Sequence, residues 1–215
     1  PYAKRFGIPL IDPATDAILY ELHVRDFTHH PSSSARRPGT FAAMAEQCLH
    51  LPSDPRVLTG IDHLRDFGIN TLQLMPVNAI ALDDAESHHA WGYMPLLFNA
   101  PEPLYASDAS GVTAVRELKQ AIDALHRLGF KVVMDVVYNH SAEGVRHADH
   151  WNGLAPHFFY RALPTGDYWN GSGCGWRPCW NAARIPRATG CSCSKSTWER
   201  RSGRFAPGCA STSRR

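Results

Sequence analysis

The chain has 215 residues, of which 44% are hydrophobic and 20% charged, with a formal net charge of +2 at pH 7. This supplies enough apolar material for a sizeable core, in one large domain or two small ones. No apolar run approaches the ~20 residues of a membrane-spanning helix, which excludes that class of protein. The first residues, Pro1 to Lys4, contain neither an initiator Met nor a signal-peptide core, and we expect an internal piece of a longer protein.

Strands and helices alternate along the first 140 residues. Residues 17–24 predict a strand, and residues 59–69 predict a helix with Ile61, Leu64 and Phe67 on its apolar face and Gly68 as its stop. Residues 70–77 predict a second strand. Residues 112–129 predict the clearest helix, with an apolar stripe and Gly129 as its stop. The stripe comprises Val115, Leu118, Ile122 and Leu125.

The third strand, residues 131–137, ends the series and has an unusual composition. Its apolar residues predict burial on both faces, yet Asp135 stands in its middle, and burying an unpaired carboxylate is costly. We therefore expect Asp135 to accept hydrogen bonds.

Alternating strands and helices with continuous apolar strands predict βαβ crossovers and a parallel sheet. Ligands bind at the carboxyl ends of the strands in such folds, so the polar residues that follow each strand are expected to line one face. These residues are His23, Arg25, Asp26, Asn78, Asn139 and His140.

Four ordered motifs resemble landmarks of the α-amylase superfamily, glycoside hydrolase family 13, and most of all its pullulanase, isoamylase and glycogen-debranching branch. They are YELHVRDFT, TGIDHLRDFGINTLQLMPV, WGYMPLLFNAPEPLYAS and LGFKVVMDVVYNHSAEG. The resemblance covers roughly residues 17–175. It implies a (β/α)8 barrel that cleaves α-1,6 branch linkages of glycogen, starch or pullulan with retention, of which this chain supplies about the first three strands.

The resemblance also implies roles for individual residues. Tyr93 would stack on the sugar at the cleavage point, and His140 would donate to one of its hydroxyls. Asp135 would be a structural anchor in the floor of the active site, and Asn139 would brace the loop. The family usually has Asp or Asn after WGY, and this chain has Met94. No metal and no cofactor are predicted.

Simpler interpretations remain open for each of these residues. Considered alone, His140 is typical of a loop residue and Tyr93 of a core residue. The adjacent pairs His29–His30 and His88–His89 are interpreted as solvated loop residues, because neighbours in sequence do not face one another on a helix or strand.

The sequence does not supply the two catalytic carboxylates that a retaining glycosidase needs. Such an enzyme needs a nucleophile and an acid on either side of the scissile bond. In the family the nucleophile ends strand four in a Gly-Phe-Arg-Phe-Asp-like motif, which does not occur in this sequence. A complete barrel needs ~250 residues. We therefore assign no catalytic residue and expect this chain to be inactive by itself.

Composition changes abruptly near Gly175. Residues 176–215 carry nine Lys and Arg against one acid, Glu199, whereas the preceding part is acidic. Cys48 stands alone in the first 173 residues, which favours a cytoplasmic setting, and five cysteines lie in the remainder. The cysteines of the tail lack the paired Cys-x2-Cys spacing of a zinc site, and its arginines are not interleaved with aromatic residues as in nucleic-acid-binding segments. We therefore interpret the tail as out-of-frame translation of a GC-rich gene, with zinc or nucleic-acid binding as a minor alternative.

The sequence thus predicts two parts. Residues 1–175 are the N-terminal part of a glycoside hydrolase barrel, and residues 176–215 are an irregular, disordered tail. The predicted partner is an α-glucan polysaccharide, with no nucleic acid and no membrane. A non-catalytic glucan-binding or interaction fragment is the alternative function.

Overall fold

The computed structural model describes residues 14–80, 90–143 and 151–169. The predicted tail and His88–His89 lie outside these ranges. The strands and α-helices of the described ranges, in chain order, are β1 (Leu19–Leu22), α1 (Asp26–His29), β2 (His50–Leu51), β3 (Asp54–Leu58), α2 (Gly60–Asp66), β4 (Thr71–Leu74), β5 (Asn78–Ile80), β6 (Pro95–Pro101), α3 (Thr113–Arg127), β7 (Lys131–Met134) and α4 (Trp151–Leu154).

A parallel sheet of three strands, in the order β1-β4-β7, organises the fold. Leu19 pairs with Thr71, which pairs with Lys131, and the register continues without a shift to the carboxyl ends. α2 and α3 provide the two crossovers, so the predicted parallel sheet is confirmed. The pairs β2–β3 and β5–β6 are antiparallel, and they lie in the connections that follow β1 and β4.

The core lies between the sheet and its helices. Leu72, Leu74, Leu125 and Phe41 are fully buried there. Thr71, Leu72 and Leu74 of β4 are buried, whereas the expectation that the third strand is buried on both faces is wrong for β7. Ile18, Leu19, Tyr20, Val133 and Met134 are 37% to 53% exposed, because β1 and β7 are the outer strands of this sheet in the described ranges.

Both crossover helices end in the same turn. Gly68 and Gly129 have φ of +87° and +93°, and each follows the last helical turn, as predicted. The amide of the next residue reaches back five positions, from Ile69 to the carbonyl of Leu64 and from Phe130 to that of Leu125, each at 3.0 Å. This is the Schellman pattern, and its flanking apolar pair is buried in both cases.

The apolar faces of the helices differ from the prediction at single residues. Phe67 is 74% exposed because it occupies the C-cap, where its ring stacks on His63 instead of entering the core. In α3 the buried positions are Ala114, Leu118, Ala121 and Leu125, and Val115 faces solvent. Two small residues, Ala114 and Ala121, are therefore buried on the core-facing side of α3, where Val115 was predicted to lie.

Asn70 joins the strands at their amino ends. Its side-chain oxygen accepts from the amide of Ile18 at 2.9 Å, and its side-chain nitrogen donates to the carbonyl of Asp16 at 2.8 Å. Its backbone carbonyl accepts from the amide of Lys131 at 2.9 Å. Asn70 thus contacts the chain just before β1 and at the start of β7, the two outer strands of this sheet.

Candidate functional site

Three of the predicted site residues meet at the carboxyl edge of the sheet. Asp135 directly follows β7, and its amide continues the ladder to the carbonyl of Leu74 at 2.9 Å. The hydroxyl of Tyr93 donates to Asp135 Oδ2 at 2.9 Å. His140 Nε2 lies 2.8 Å from the carbonyl oxygen of Tyr93. We call Tyr93, Asp135 and His140 the tyrosine cluster.

Gly92 allows Tyr93 to reach this position. Its φ is +86°, and a Cβ built on it would lie 2.4 Å from the carbonyl oxygen of Pro76, which follows β4. A side chain at this position would overlap rigid backbone. The backbone of the WGY motif therefore packs directly against the end of the central strand, and glycine is required for that contact.

Contacts within the tyrosine cluster determine where the protons of Tyr93 and His140 lie. Burial, and secondly the hydrogen bond to Asp135, raise the pKa of Tyr93 to about 12. The phenol accordingly stays neutral near pH 7 and keeps donating to the carboxylate. Because a carbonyl can only accept, Nε2 of His140 must carry the proton that it shares with Tyr93.

Two details differ from the sequence interpretation. Asp135 is only partly buried, because β7 ends at Met134 and the carboxylate is the first residue beyond the strand. Its side-chain donor is a tyrosine from the β5–β6 connection and not a neighbouring strand end. Asn139 is exposed, and the structure does not place it in the tyrosine cluster.

A second polar group lies at the end of β1. The amide of Asp26 donates to His23 Nδ1 at 3.3 Å, and His23 Nε2 is hydrogen-bonded to the hydroxyl of Tyr105 at 2.9 Å. Burial lowers the pKa of His23, and the charge of Asp26 opposes this effect. Burial raises the pKa of Tyr105 to about 12. His23 thus supports the fold beside the tyrosine cluster instead of facing solvent.

Asn78 is likewise buried, at the start of β5, whereas Asp26 is exposed and Arg25 partly exposed. The Nε of Arg25 donates to Asp26 Oδ1 at 2.9 Å. The polar residues that follow the strands are therefore divided between interior and surface.

Sequence reasoning missed two further polar features near the tyrosine cluster. Glu21 and Gln73 lie side by side on β1 and β4, and the amide of Gln73 donates to Glu21 at 2.8 Å. Their positions within the predicted strands, together with a parallel register, could have revealed the pair. The other feature surrounds the buried carboxylate of Glu143, which lies beyond the last predicted strand.

Within the described ranges, no group of three or more His, Cys, Asp or Glu residues is arranged to hold a metal ion. Helices of the described part are all too short or too polar to cross a bilayer.

No family model matches the chain. Individual proteins do. Isoamylase SU1 of Zea mays is 32% identical over 187 residues, which is 81% of this chain and 22% of the relative. The glycogen debranching enzyme of Yersinia pseudotuberculosis is 37% identical over 182 residues, 80% of this chain and 25% of the relative.

Solved structures give the same result. Pullulanase from Paenibacillus barengoltzii, in complex with maltohexaose and α-cyclodextrin, matches with a TM-score of 0.74 and 34% identity, over 86% of this chain and 29% of that one. Pullulanase from Bacillus acidopullulyticus matches with a TM-score of 0.72 and 36% identity, over 81% and 21%. The homologues are thus isoamylases, glycogen debranching enzymes and pullulanases, as the motifs predicted, and the chain spans only about a quarter of their length.

Proposed function

We propose that this chain is part of the catalytic domain of an α-glucan-debranching glycoside hydrolase, corresponding to the first three strands of a (β/α)8 barrel. The domain as a whole would hydrolyse α-1,6 linkages with retention. Homology to debranching enzymes over about four-fifths of the chain and the parallel order β1-β4-β7 support this proposal. Ligand sites of such barrels lie at the carboxyl face, where the tyrosine cluster is found.

The tyrosine cluster is the observation that carries the proposal. A phenol ring presents a flat apolar face to a pyranose, and its hydroxyl orients through Asp135. His140 holds the backbone of Tyr93 through its carbonyl, which keeps the imidazole beside the residue that carries the ring. In the proposed site Tyr93 stacks on the glucosyl residue, His140 binds one of its hydroxyls, and Asp135 with Asn139 forms the floor.

We propose further that the chain does not hydrolyse glucan by itself. Retention requires two carboxyl groups about 5–5.5 Å apart, one as nucleophile and one as acid. Asp135 is committed to Tyr93, and the sequence lacks the motif that would supply the nucleophile. The residues present support recognition of a sugar but not cleavage of its bond.

A non-catalytic glucan-binding fragment is therefore the second candidate. It is favoured by one contrast: the tyrosine cluster is complete within the chain, whereas the nucleophile motif is absent from its sequence. Both candidates place the same residues against the same polymer, and they differ in whether the chain serves as part of a hydrolytic domain or only binds glucan.

Binding and turnover can be measured on the same samples. We expect wild-type protein to be retained on amylopectin, to bind maltohexaose in calorimetry and to release no reducing sugar from pullulan. Tyr93→Ala should lose retention, and the control Tyr20→Ala, at a partly exposed tyrosine of β1 outside the tyrosine cluster, should keep it. Turnover above the Tyr93→Ala background would exclude the binding fragment and refute the proposal that the chain does not hydrolyse glucan by itself. Equal retention of both variants would refute the proposed site.

The division into a barrel part, residues 1–175, and a tail, residues 176–215, remains a proposal that rests on composition. A cytoplasmic location is proposed from the single cysteine in the first 173 residues.

A further inference from the structure

Glu143 is a buried carboxylate that the proposed site does not use. It is 3% exposed, and three donors from three residues make four hydrogen bonds to it. The hydroxyl of Tyr160 donates to Oε2 at 2.8 Å, and the amide of Trp151 donates to the same oxygen at 3.0 Å. The amide of Asn152 donates to Oε1 at 3.0 Å and to Oε2 at 3.3 Å. Each of these partners donates to the carboxyl oxygens of Glu143.

Tyr160 transmits this anchor to the neighbour of His140. Its side chain is 1% exposed, and its hydroxyl contacts the hydroxyl of Ser141, which is itself fully buried. Because the proton of Tyr160 goes to Glu143, Ser141 must donate to Tyr160. Burial raises the pKa of Tyr160 far above its ordinary value, so the direction of this relay does not change with pH in the neutral range.

The segment from His140 to Glu143 is thus fixed at successive residues. His140 is bonded to the carbonyl of Tyr93, Ser141 to Tyr160, and Glu143 to α4. Between them, the amide of Ala142 donates to the carbonyl of Pro95 at 2.7 Å. The bonds at Tyr93 and Pro95 orient this segment on β6 and its approach, and the bonds to Glu143 orient it on α4 and Tyr160.

We propose that Glu143 is a positioning residue, whose carboxylate, acting through Tyr160 and Ser141, sets the orientation of the His140 imidazole in the tyrosine cluster. This inference rests on the proposed function in one respect: the orientation of the imidazole affects sugar binding only if His140 contacts the sugar, as proposed above. The effect of Glu143 on the orientation of the His140 ring and on its proton can be tested without a sugar.

Glu143→Gln tests the inference with almost unchanged volume. The side-chain NH₂ of the introduced glutamine cannot accept a hydrogen bond, whereas both carboxyl oxygens of Glu143 accept one. At least one of the hydrogen bonds to Glu143 is therefore lost in the variant. Asp62→Asn is the matched control: Asp62 is 5% exposed and accepts from the amide of Cys48 at 2.6 Å, yet it lies in α2, remote in sequence from the cluster. Both variants should lower stability to a similar degree.

The discriminating readout is the ¹⁵N signature of the His140 ring in the full chain, assigned by its loss in His140→Gln. Wild-type protein and Asp62→Asn should show the signature of a ring with a proton on Nε2. Glu143→Gln should show a shifted Nε2 signature, because the ring no longer holds the orientation that bonds Nε2 to the carbonyl of Tyr93. A folded Glu143→Gln protein with the wild-type signature would overturn the inference.

Tyr160→Phe provides a second test if Glu143→Gln does not fold. It removes the hydroxyl that joins Ser141 to Glu143 and leaves both backbone donors in place, and the same change at His140 is expected. An unchanged signature in Tyr160→Phe would equally overturn the inference.

Maltohexaose calorimetry then separates the two proposals. We expect Glu143→Gln to bind about fivefold more weakly than wild type, the equivalent of one hydrogen bond, and Asp62→Asn to bind as wild type does. No binding by wild type refutes the proposed glucan site, while the His140 signature still decides the role of Glu143.

Discussion

Gly92 offers the sharpest test of how the tyrosine cluster is built. Gly92→Ala introduces a Cβ 2.4 Å from the carbonyl oxygen of Pro76, at a φ of +86°. Gly68→Ala is a control with nearly the same backbone, since its φ is +87° and no atom lies within 4 Å of the added Cβ. The two substitutions therefore share the left-handed cost and differ in the overlap.

The magnitudes follow from these two contributions. A left-handed non-glycine residue costs roughly 1–2 kcal/mol, and the smaller entropy of the unfolded chain returns about 0.4–1 kcal/mol. Gly68→Ala should thus lower the free energy of unfolding by about 1 kcal/mol. Overlap with packed atoms adds roughly 1–3 kcal/mol, which gives about 2–4 kcal/mol for Gly92→Ala.

Urea denaturation measures the difference directly, and maltohexaose calorimetry shows whether Tyr93 has moved. We expect Gly92→Ala to lose affinity and Gly68→Ala to retain it. Equal destabilisation by the two substitutions would refute the claim that contact with Pro76 is what requires glycine at this position.

Three further outcomes are expected. The raised pKa of Tyr93 means that the folded chain holds the phenolic proton more tightly than the unfolded chain, so this contribution to stability is complete below pH 10 and lost as pH rises towards about 12. A phenolate absorbance titration of wild type minus Tyr93→Phe should show that late midpoint, and a midpoint at 10 would contradict it. The lowered pKa of His23 has the opposite consequence: its contribution is present above pH 6.5 and is lost as pH falls below it, so His23→Gln should flatten the acid side of the stability profile measured by urea denaturation. Finally, sequencing the DNA beyond the codon for Gly175 should reveal, in another reading frame, a helix followed by a strand with a Gly-Phe-Arg-Phe-Asp-like end; absence of that motif from both frames would reopen the zinc or nucleic-acid interpretation of the tail.

Local signals predicted the framework because its physics is local. The stops at Gly68 and Gly129 follow from a left-handed residue that only glycine adopts at low cost, and the structure confirms both. Helical spacing identified α2 and α3, but spacing alone placed Phe67 in the core and not at the C-cap, where it is exposed. The sheet order followed from the alternation of strands and helices, whereas exposure of the outer strands depends on what lies beside them.

The candidate site was only partly predictable because its contacts join distant residues. Tyr93 and Asp135 were identified individually through motifs, yet the hydrogen bond between them spans 42 positions. Tyr105 reaches His23 across 82 positions, and no pattern near either residue announces the contact. Glu143 was overlooked for a related reason: a carboxylate in a predicted loop is typically solvated, and only the fold brings Tyr160 and two amides around it.

The contacts of Asn70 have a consequence for how the sheet tolerates change. Parallel strands have no tight turn between them to set their alignment, and a slip of one residue would exchange the two faces of a strand. Asn70 sets this alignment at the amino ends, through bonds to Ile18, Asp16 and Lys131, at the opposite end of the strands from Tyr93 and His140. Strand alignment and the proposed sugar recognition thereby lie at opposite rims of one sheet. We expect substitutions at the carboxyl rim to alter the proposed sugar contacts without shifting the strands. Loss of the side-chain amide at position 70 is expected to misalign the sheet while leaving the residues of the tyrosine cluster unchanged.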